Sequence, residues 1–156
     1  MCYLTTSRKC GPITRRLARS LANVFSCVYE NRGKRNFDSI LRMAHKRGCK
    51  RVVFVYESHG NPNELFAVDL ENDEWKEAGR IIFNPVLVEK IPKKKWAVCY
   101  DKDDELANLL VSMLNPDKIE HVSSNTVRII ANNGRLDILI DGKRAVSLNL
   151  LDIEHA

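Results

Sequence analysis

Between Pro12 and Phe25 the apolar side chains Ile13, Leu17, Leu21, Val24 and Phe25 recur at intervals of three and four. That spacing gathers them on one stripe of a helix and turns Arg15, Arg16, Arg19 and Asn23 onto the opposite, solvent-facing arc. Gly11-Pro12 opens this helix, because proline is tolerated at the first helical position. Cys2–Thr6, just before it, predicts a strand. Beyond it Cys27–Tyr29 predicts a short strand, "ENRGKRN" a turn, and Asn36 the N-cap of a second helix buried through Phe37, Ile40, Leu41 and Ala44. Arg42, His45, Lys46 and Arg47 enrich the end of that helix, and Gly48 stops it.

"RVVFVYE" (51–57) is a continuous β-branched and aromatic run, the pattern of a strand covered on both faces. "SHGNPNE" predicts a turn, "LFAVDL" a strand, and "GRIIFNP" another that ends at Pro85. "VEKIPKKK" then connects to a second half. There Trp96–Tyr100 predicts a strand and "DDELANLLVSML" a helix with acids in its first turn and Pro116 beyond its end. Strands are expected around Ile119–Val122, Thr126–Ala131, Leu136–Ile140 and Ala145–Leu148, with "NNGR" and "DGKR" as two-residue hairpin turns. The order of strand, helix and strands thus occurs twice, which suggests an internal duplication. The expected fold class is α/β, with two related halves, 1–89 and 90–156, sharing one core in a single domain, 1–156.

Length and composition narrow the setting. A chain of 156 residues can bury a core without covalent staples. No apolar run approaches the length of a membrane span, and the N-terminus lacks the apolar stretch of a secretion signal, so a cytoplasmic protein with no membrane partner is expected. Cys2, Cys10, Cys27, Cys49 and Cys99 are odd in number and never form C-x-x-C, which argues against a zinc site and for reduced, mostly buried thiols.

Charge changes the picture more. The net charge of +5 hides a division: residues 1–60 carry 13 Lys or Arg against three acids, whereas residues 61–156 carry 12 against 17. A first half with a net charge of +10 points to a polyanionic partner. Two clusters concentrate that charge. In the first, Thr5, Thr6 and Ser7 supply hydroxyls and Arg8 and Lys9 supply charge, at a loop entering a helix N-terminus that suits phosphate. With one glycine, Gly11, and no following G-K-[ST], the loop is not a P-loop. Spaced cations and donors suit a nucleic-acid backbone instead. The second cluster is "NRGKR" (31–35), where Arg32, Lys34 and Arg35 surround Gly33. Together with the helical Arg15, Arg16 and Arg19, two adjacent strand–helix loops would present these cations on one edge. Tyr3, Tyr29, Tyr56, Phe25, Phe37 and Phe54 fall mostly at core spacing, so contact through phosphate, ribose and RNA shape is expected over base readout.

Catalysis finds no support. His59 in "SHGNP" lacks an acid–base partner, and Asp103 and Asp104 are explained by the preference for acids at a helix start. No catalytic residue, metal ligand or cofactor is assigned.

"TTSRK" (5–9), "NRGK" (31–34), "HGNP" (59–62) and "IIFNP" (81–85), in this order and spacing, resemble the Brix domain. The likeness is to its compact archaeal, Imp4-like type and runs nearly end to end. The resemblance implies ribosome biogenesis: binding of ribosomal RNA, assistance to pre-rRNA processing and subunit assembly, and other assembly proteins as partners. It also implies two α/β halves, each similar to the anticodon-binding domain of class IIa aminoacyl-tRNA synthetases. Carried onto this chain, the binding motifs fall on Thr6, Ser7, Arg8 and Lys9 and on Asn31, Arg32, Gly33 and Lys34. Charge geometry adds Arg15, Arg16, Arg19 and Arg35. The competing readings are an adaptor that docks an acidic protein, an accessory module binding transfer RNA, and a nuclease.

Overall fold

A computed structural model describes residues 1–155 of the chain. Its elements in chain order are β1 (Cys2–Thr6), α1 (Pro12–Phe25), β2 (Val28–Tyr29), α2 (Phe37–Lys46), β3 (Arg51–Ser58), β4 (Asn61–Glu71), β5 (Glu74–Val88), β6 (Ala97–Tyr100), α3 (Glu105–Leu114), β7 (Thr126–Asn132), β8 (Arg135–Ile140) and β9 (Lys143–His155). Nine strands form one mixed, curled sheet in the order β2-β1-β3-β4-β5-β9-β8-β7-β6. β1 runs parallel to β2 and β3, and β6 parallel to β7, while every other pairing is antiparallel.

The order β1-α1-β3-β4-β5 is matched by β6-α3-β7-β8-β9, and the two units join where β5 pairs with β9. The repeat expected from the sequence is therefore present in the topology, with β2 and α2 as an insertion in the first unit. Because β5 and β9 are antiparallel, the pair β1/β3 and the pair β6/β7 point in opposite directions.

Helices α1 and α3 pack on one face of the sheet. Leu17, Leu21 and Val24 from α1 meet Ala107, Leu110 and Met113 from α3 in a cluster that includes Leu4, Val53, Val55, Val127, Ile138 and Val146. Helix α2 covers the other face of the first unit, where Ile40 and Ala44 join Tyr3, Val52, Phe54, Phe66 and Val68. The side chains of β3 thus alternate between two interiors, as its unbroken apolar run predicts. Burying each Leu, Val or Phe of this kind contributes about 1.5–3 kcal/mol relative to exposure.

Several boundaries differ from the sequence reading. The turn placed at "SHGNPNE" narrows to His59 and Gly60, because β4 already begins at Asn61. Strand β5 continues through Pro85, which pairs with Leu148 beside a register shift at Pro85/Leu87, a bulge where a missing N–H is tolerated. The strand expected around Ile119–Val122 is irregular chain instead. Ile119 is exposed and Val122 is 95% exposed, so neither finds a partner strand or an interior. The arc of α1 expected to face water is partly covered: Arg16 donates to Val88 O at 3.2 Å, Ser20 to Glu89 O at 3.0 Å, and Asn23 to Ile91 O at 2.8 Å. The linker between the units is strapped along that helix.

Candidate nucleic-acid interface

Parallel pairing of β1 with β2 and β3 brings the carboxyl ends of all three strands to one edge of the sheet. The loops leaving β1 and β2 therefore start side by side, and hydrogen bonds tie them together. Arg8 Nη2 donates to Lys34 O at 3.1 Å, Arg32 Nη1 to Thr6 O at 3.3 Å, and Thr5 Oγ1 to Glu30 O at 2.8 Å. Helix α1 starts from the same edge. The Arg19 guanidinium lies 5.5 Å from the centre of the Tyr29 ring, and Tyr29 OH donates to Asn31 Oδ1 at 2.8 Å. Two loops and one helix thus converge on a continuous surface.

Its charge is not neutralised. Among the described residues no carboxylate lies within ion-pair distance of Arg8, Lys9, Arg15, Arg16, Arg19, Arg32, Lys34 or Arg35. None of the three acids of residues 1–60 pairs with these cations. Glu30 pairs with Arg47 at 2.9 Å, which holds its carboxyl below the usual range. Asp38 lies in the first turn of α2, where the dipole favours it. Glu57, at the end of β3, accepts from Gly11 N at 2.9 Å and from the Thr14 hydroxyl.

Individual residues play unequal parts. Arg8, Lys9, Lys34, Arg16 and Arg19 are exposed cations, and Asn31 is exposed beside them. Arg32 and Arg35 are half-buried and build their own loop. Arg32 Nε donates to Arg35 O and Arg35 Nε to Arg32 O, each at 3.0 Å, while Arg35 also reaches Tyr3 OH and Asn31 O. The Arg32 guanidinium sits 5.6 Å from the centre of the Phe54 ring. Their charge remains, but several of their donors are used within the loop. Arg15, also half-buried, donates to Cys10 O at 2.6 Å. Gly33 adopts φ 61 with open space beside its Cα, so it supplies a left-handed turn.

Two expectations about donors are corrected. Thr6 is buried, and its hydroxyl donates to Ser7 O at 3.1 Å, so it does not face a ligand; Thr5 is buried and spent likewise. The N-terminus of α1 is not an open phosphate site either, because the Glu57 carboxylate occupies Gly11 N. Ser7 Oγ is buried with no hydrogen-bond partner in the structure. Glu57 and Tyr29 were missed as parts of this edge. An acid ending an apolar strand is a faint signal, and its meaning appears only once β3 is seen to lie beside β1.

Burial shapes the phenols here. Tyr3 is pushed up to about 12 by burial, against the opposing pull of Arg35. Tyr29 and Tyr56 are raised mainly for the same reason, with Arg19 and Arg32 respectively opposing.

The equivalent place in the second unit has the opposite character. There Asp101, Asp103 and Asp104 precede α3, and Asp104 Oδ1 caps the helix by accepting from Ala107 N at 2.8 Å. A shallow hollow of about 390 Å³ lined by Tyr100, Asp101, Asp104 and Arg128 lies beside them. No group of His, Cys, Asp and Glu suited to a metal ion occurs among the described residues. No described helix is long and apolar enough to cross a membrane.

No protein-family profile matches the chain. A Brix domain-containing ribosomal biogenesis protein of Methanococcoides burtonii is 32% identical over 107 residues, covering 69% of this chain and 67% of the relative. One of the same description from Pyrobaculum aerophilum is 27% identical over 97% of this chain and 94% of its own length. Among solved structures, Mil, an archaeal Imp4-like protein, superposes with a TM-score of 0.72 at 26% identity, covering 99% of both chains. A curled mixed sheet with this strand order and relatives matched at this identity and coverage lead to one assignment: the chain belongs to the family of Brix domain-containing ribosomal biogenesis proteins.

Proposed function

We propose that the chain is a single, non-enzymatic Brix domain that acts in the cytoplasm and binds ribosomal RNA through the edge where the first two loops meet α1. Binding there would assist pre-rRNA processing and subunit assembly, with other assembly proteins as further partners. One observation carries this reading: cations from two loops and a helix share one surface, and none of them is ion-paired among the described residues. Such an arrangement attracts a phosphate backbone and holds it in many registers, with little dependence on base identity. The repeated order of strand, helix and three strands supports a further likeness of each half to the anticodon-binding domain of class IIa aminoacyl-tRNA synthetases.

The test uses the exposed members, because Arg32 and Arg35 also hold their loop together. Arg8→Glu, Lys9→Glu and Lys34→Glu combined should leave the circular dichroism and melting temperature near those of the parent. Affinity for a structured ribosomal RNA fragment, read by fluorescence anisotropy, should fall by more than about tenfold, and the dependence on salt should flatten. Parental affinity in the triple variant would remove this surface from the function. Equal or tighter binding of transfer RNA in competition would redirect the proposal to that partner.

A further inference from the structure

The four lysines of the linker, Lys90, Lys93, Lys94 and Lys95, lie in the half of the chain with net negative charge, yet the fold sets them against the basic half. Three positions along one face of α1, Arg16, Ser20 and Asn23, hold the linker backbone at Val88, Glu89 and Ile91. Ile91 N donates back to Ser20 Oγ at 3.0 Å, and the Ile91 side chain is fully buried. The linker therefore runs alongside α1 in the same direction as the helix, from the end nearest the loops toward its C-terminus. Ile91 and Trp96, both buried, bracket Lys93, Lys94 and Lys95, with Lys90 just before Ile91, and Trp96 Nε1 donates to Pro92 O at 3.0 Å. All four lysines are exposed, and none forms an ion pair among the described residues. Lys94 Nζ lies 5.6 Å from the centre of the Trp96 ring. Glu89 is the one acid in the strap.

We infer that these linker lysines are a second binding segment for the same RNA, continuing the cationic surface of Arg8, Lys9, Lys34, Arg19 and Arg16 along α1 with Lys90 and on from its C-terminal end with Lys93, Lys94 and Lys95. The inference rests on the RNA-binding reading above and deepens it. A helix of 14 residues is about 21 Å long. Cations distributed over that distance exceed the reach of a single phosphate or a mononucleotide, so the ligand they fit is a polynucleotide backbone several phosphates long. The strap has a consequence for geometry as well. Lys90 lies within the stretch that hydrogen bonds hold to the helix, and Lys93, Lys94 and Lys95 span the short segment between the buried Ile91 and Trp96, so little loop entropy is lost when RNA binds them.

Two quadruple variants of equal net charge test this. In the first, Lys90, Lys93, Lys94 and Lys95 become Gln; in the second, Lys76, Lys102, Lys118 and Lys143, which lie off the strip, become Gln. Binding of both and of the parent to one structured ribosomal RNA fragment is measured across a series of salt concentrations. The expected result is a linker variant weakened about tenfold or more at fixed salt. Its slope of log affinity on log salt should be shallower by about 0.7–0.9 for each phosphate that is no longer neutralised. The off-strip variant should stay within about twofold of the parent. If the parent binds with a steep slope and both variants behave alike, the linker segment is refuted while the loop site stands. If the parent shows no salt-dependent RNA binding, both readings fall.

Discussion

Glu57 sets the folding of this edge against its binding. Its carboxylate accepts from Gly11 N at 2.9 Å and from the Thr14 hydroxyl, and so holds the N-terminus of α1 to the end of β3. Charge-assisted hydrogen bonds of this kind contribute about 1.5–3 kcal/mol, and a carboxylate at a helix N-terminus adds about 0.3–1 kcal/mol. Glu57→Ala should therefore cost about 2–3 kcal/mol, whereas Glu57→Gln, which keeps an acceptor, should cost about 1 kcal/mol. In a chain of this size that is a fall in melting temperature of about 4–12 °C for Ala and about 2–4 °C for Gln. RNA affinity should move the other way. A unit negative charge about 8 Å from a bound phosphate repels it by about 0.5 kcal/mol in a water-like dielectric, so its removal should strengthen binding roughly twofold at low salt. Thermal melting and anisotropy on the same preparations read both quantities. Should Glu57→Gln weaken RNA binding in step with its stability, the carboxylate would be positioning the loop for RNA, and the electrostatic account of this edge would be wrong.

Asn36 Oδ1 accepts from Ser39 N at 2.9 Å as the N-cap of α2, so Asn36→Ala should lower stability by about 1 kcal/mol in urea denaturation, with Asn36→Asp near the parent. Arg51 binds Asp69 through two nitrogens and also donates to Ser112 O at 2.9 Å and Met113 O at 3.0 Å, which fastens the C-terminal end of α3 to β3. Arg51→Ala strands Asp69 and those carbonyls, and a loss of about 2–4 kcal/mol is expected from the same denaturation assay. Tyr3, with its phenol raised from 10.0 to about 12, contributes stability that is complete below pH 10, where both states are protonated. As pH rises further the unfolded chain loses its proton first, so that contribution fades up to about pH 12. Melting temperature against pH should accordingly fall more steeply over this range for the parent than for Tyr3→Phe.

Local patterns were legible wherever one segment carried its own explanation. The stripe of α1, the cap at Asn36 and the hairpins at "NNGR" and "DGKR" each depend on a few neighbouring residues, and each stands in the structure at the place expected. Asn133 and Gly134, like Asp141 and Gly142, take the positive φ that such turns require. What the sequence hid depends on partners distant along the chain. Arg16 and Asn23 read as solvated because nothing nearby announces that residues 88–91 return to lie on them. Thr6 read as an exposed donor because only the pairing of β1 between β2 and β3 shows that it is enclosed. Ile119–Val122 has strand composition without a neighbouring strand to accept it, and composition alone does not supply one. The clustering of the cations was legible as charge, but the engagement of Glu30 and Glu57 that leaves it unopposed was not.

Antiparallel union of the two units at β5 and β9 has an effect on long-range encounter. Because β1/β3 and β6/β7 point opposite ways, the arginine-rich loops and the aspartates before α3 end up at opposite rims of the molecule. The protein is in effect a permanent electric dipole carrying an excess positive charge. In the field of a polyanion it would experience a torque as well as an attraction, turning its cationic rim forward before contact. A parallel union would have set the aspartates on the same rim as the arginines and cancelled that sense of direction.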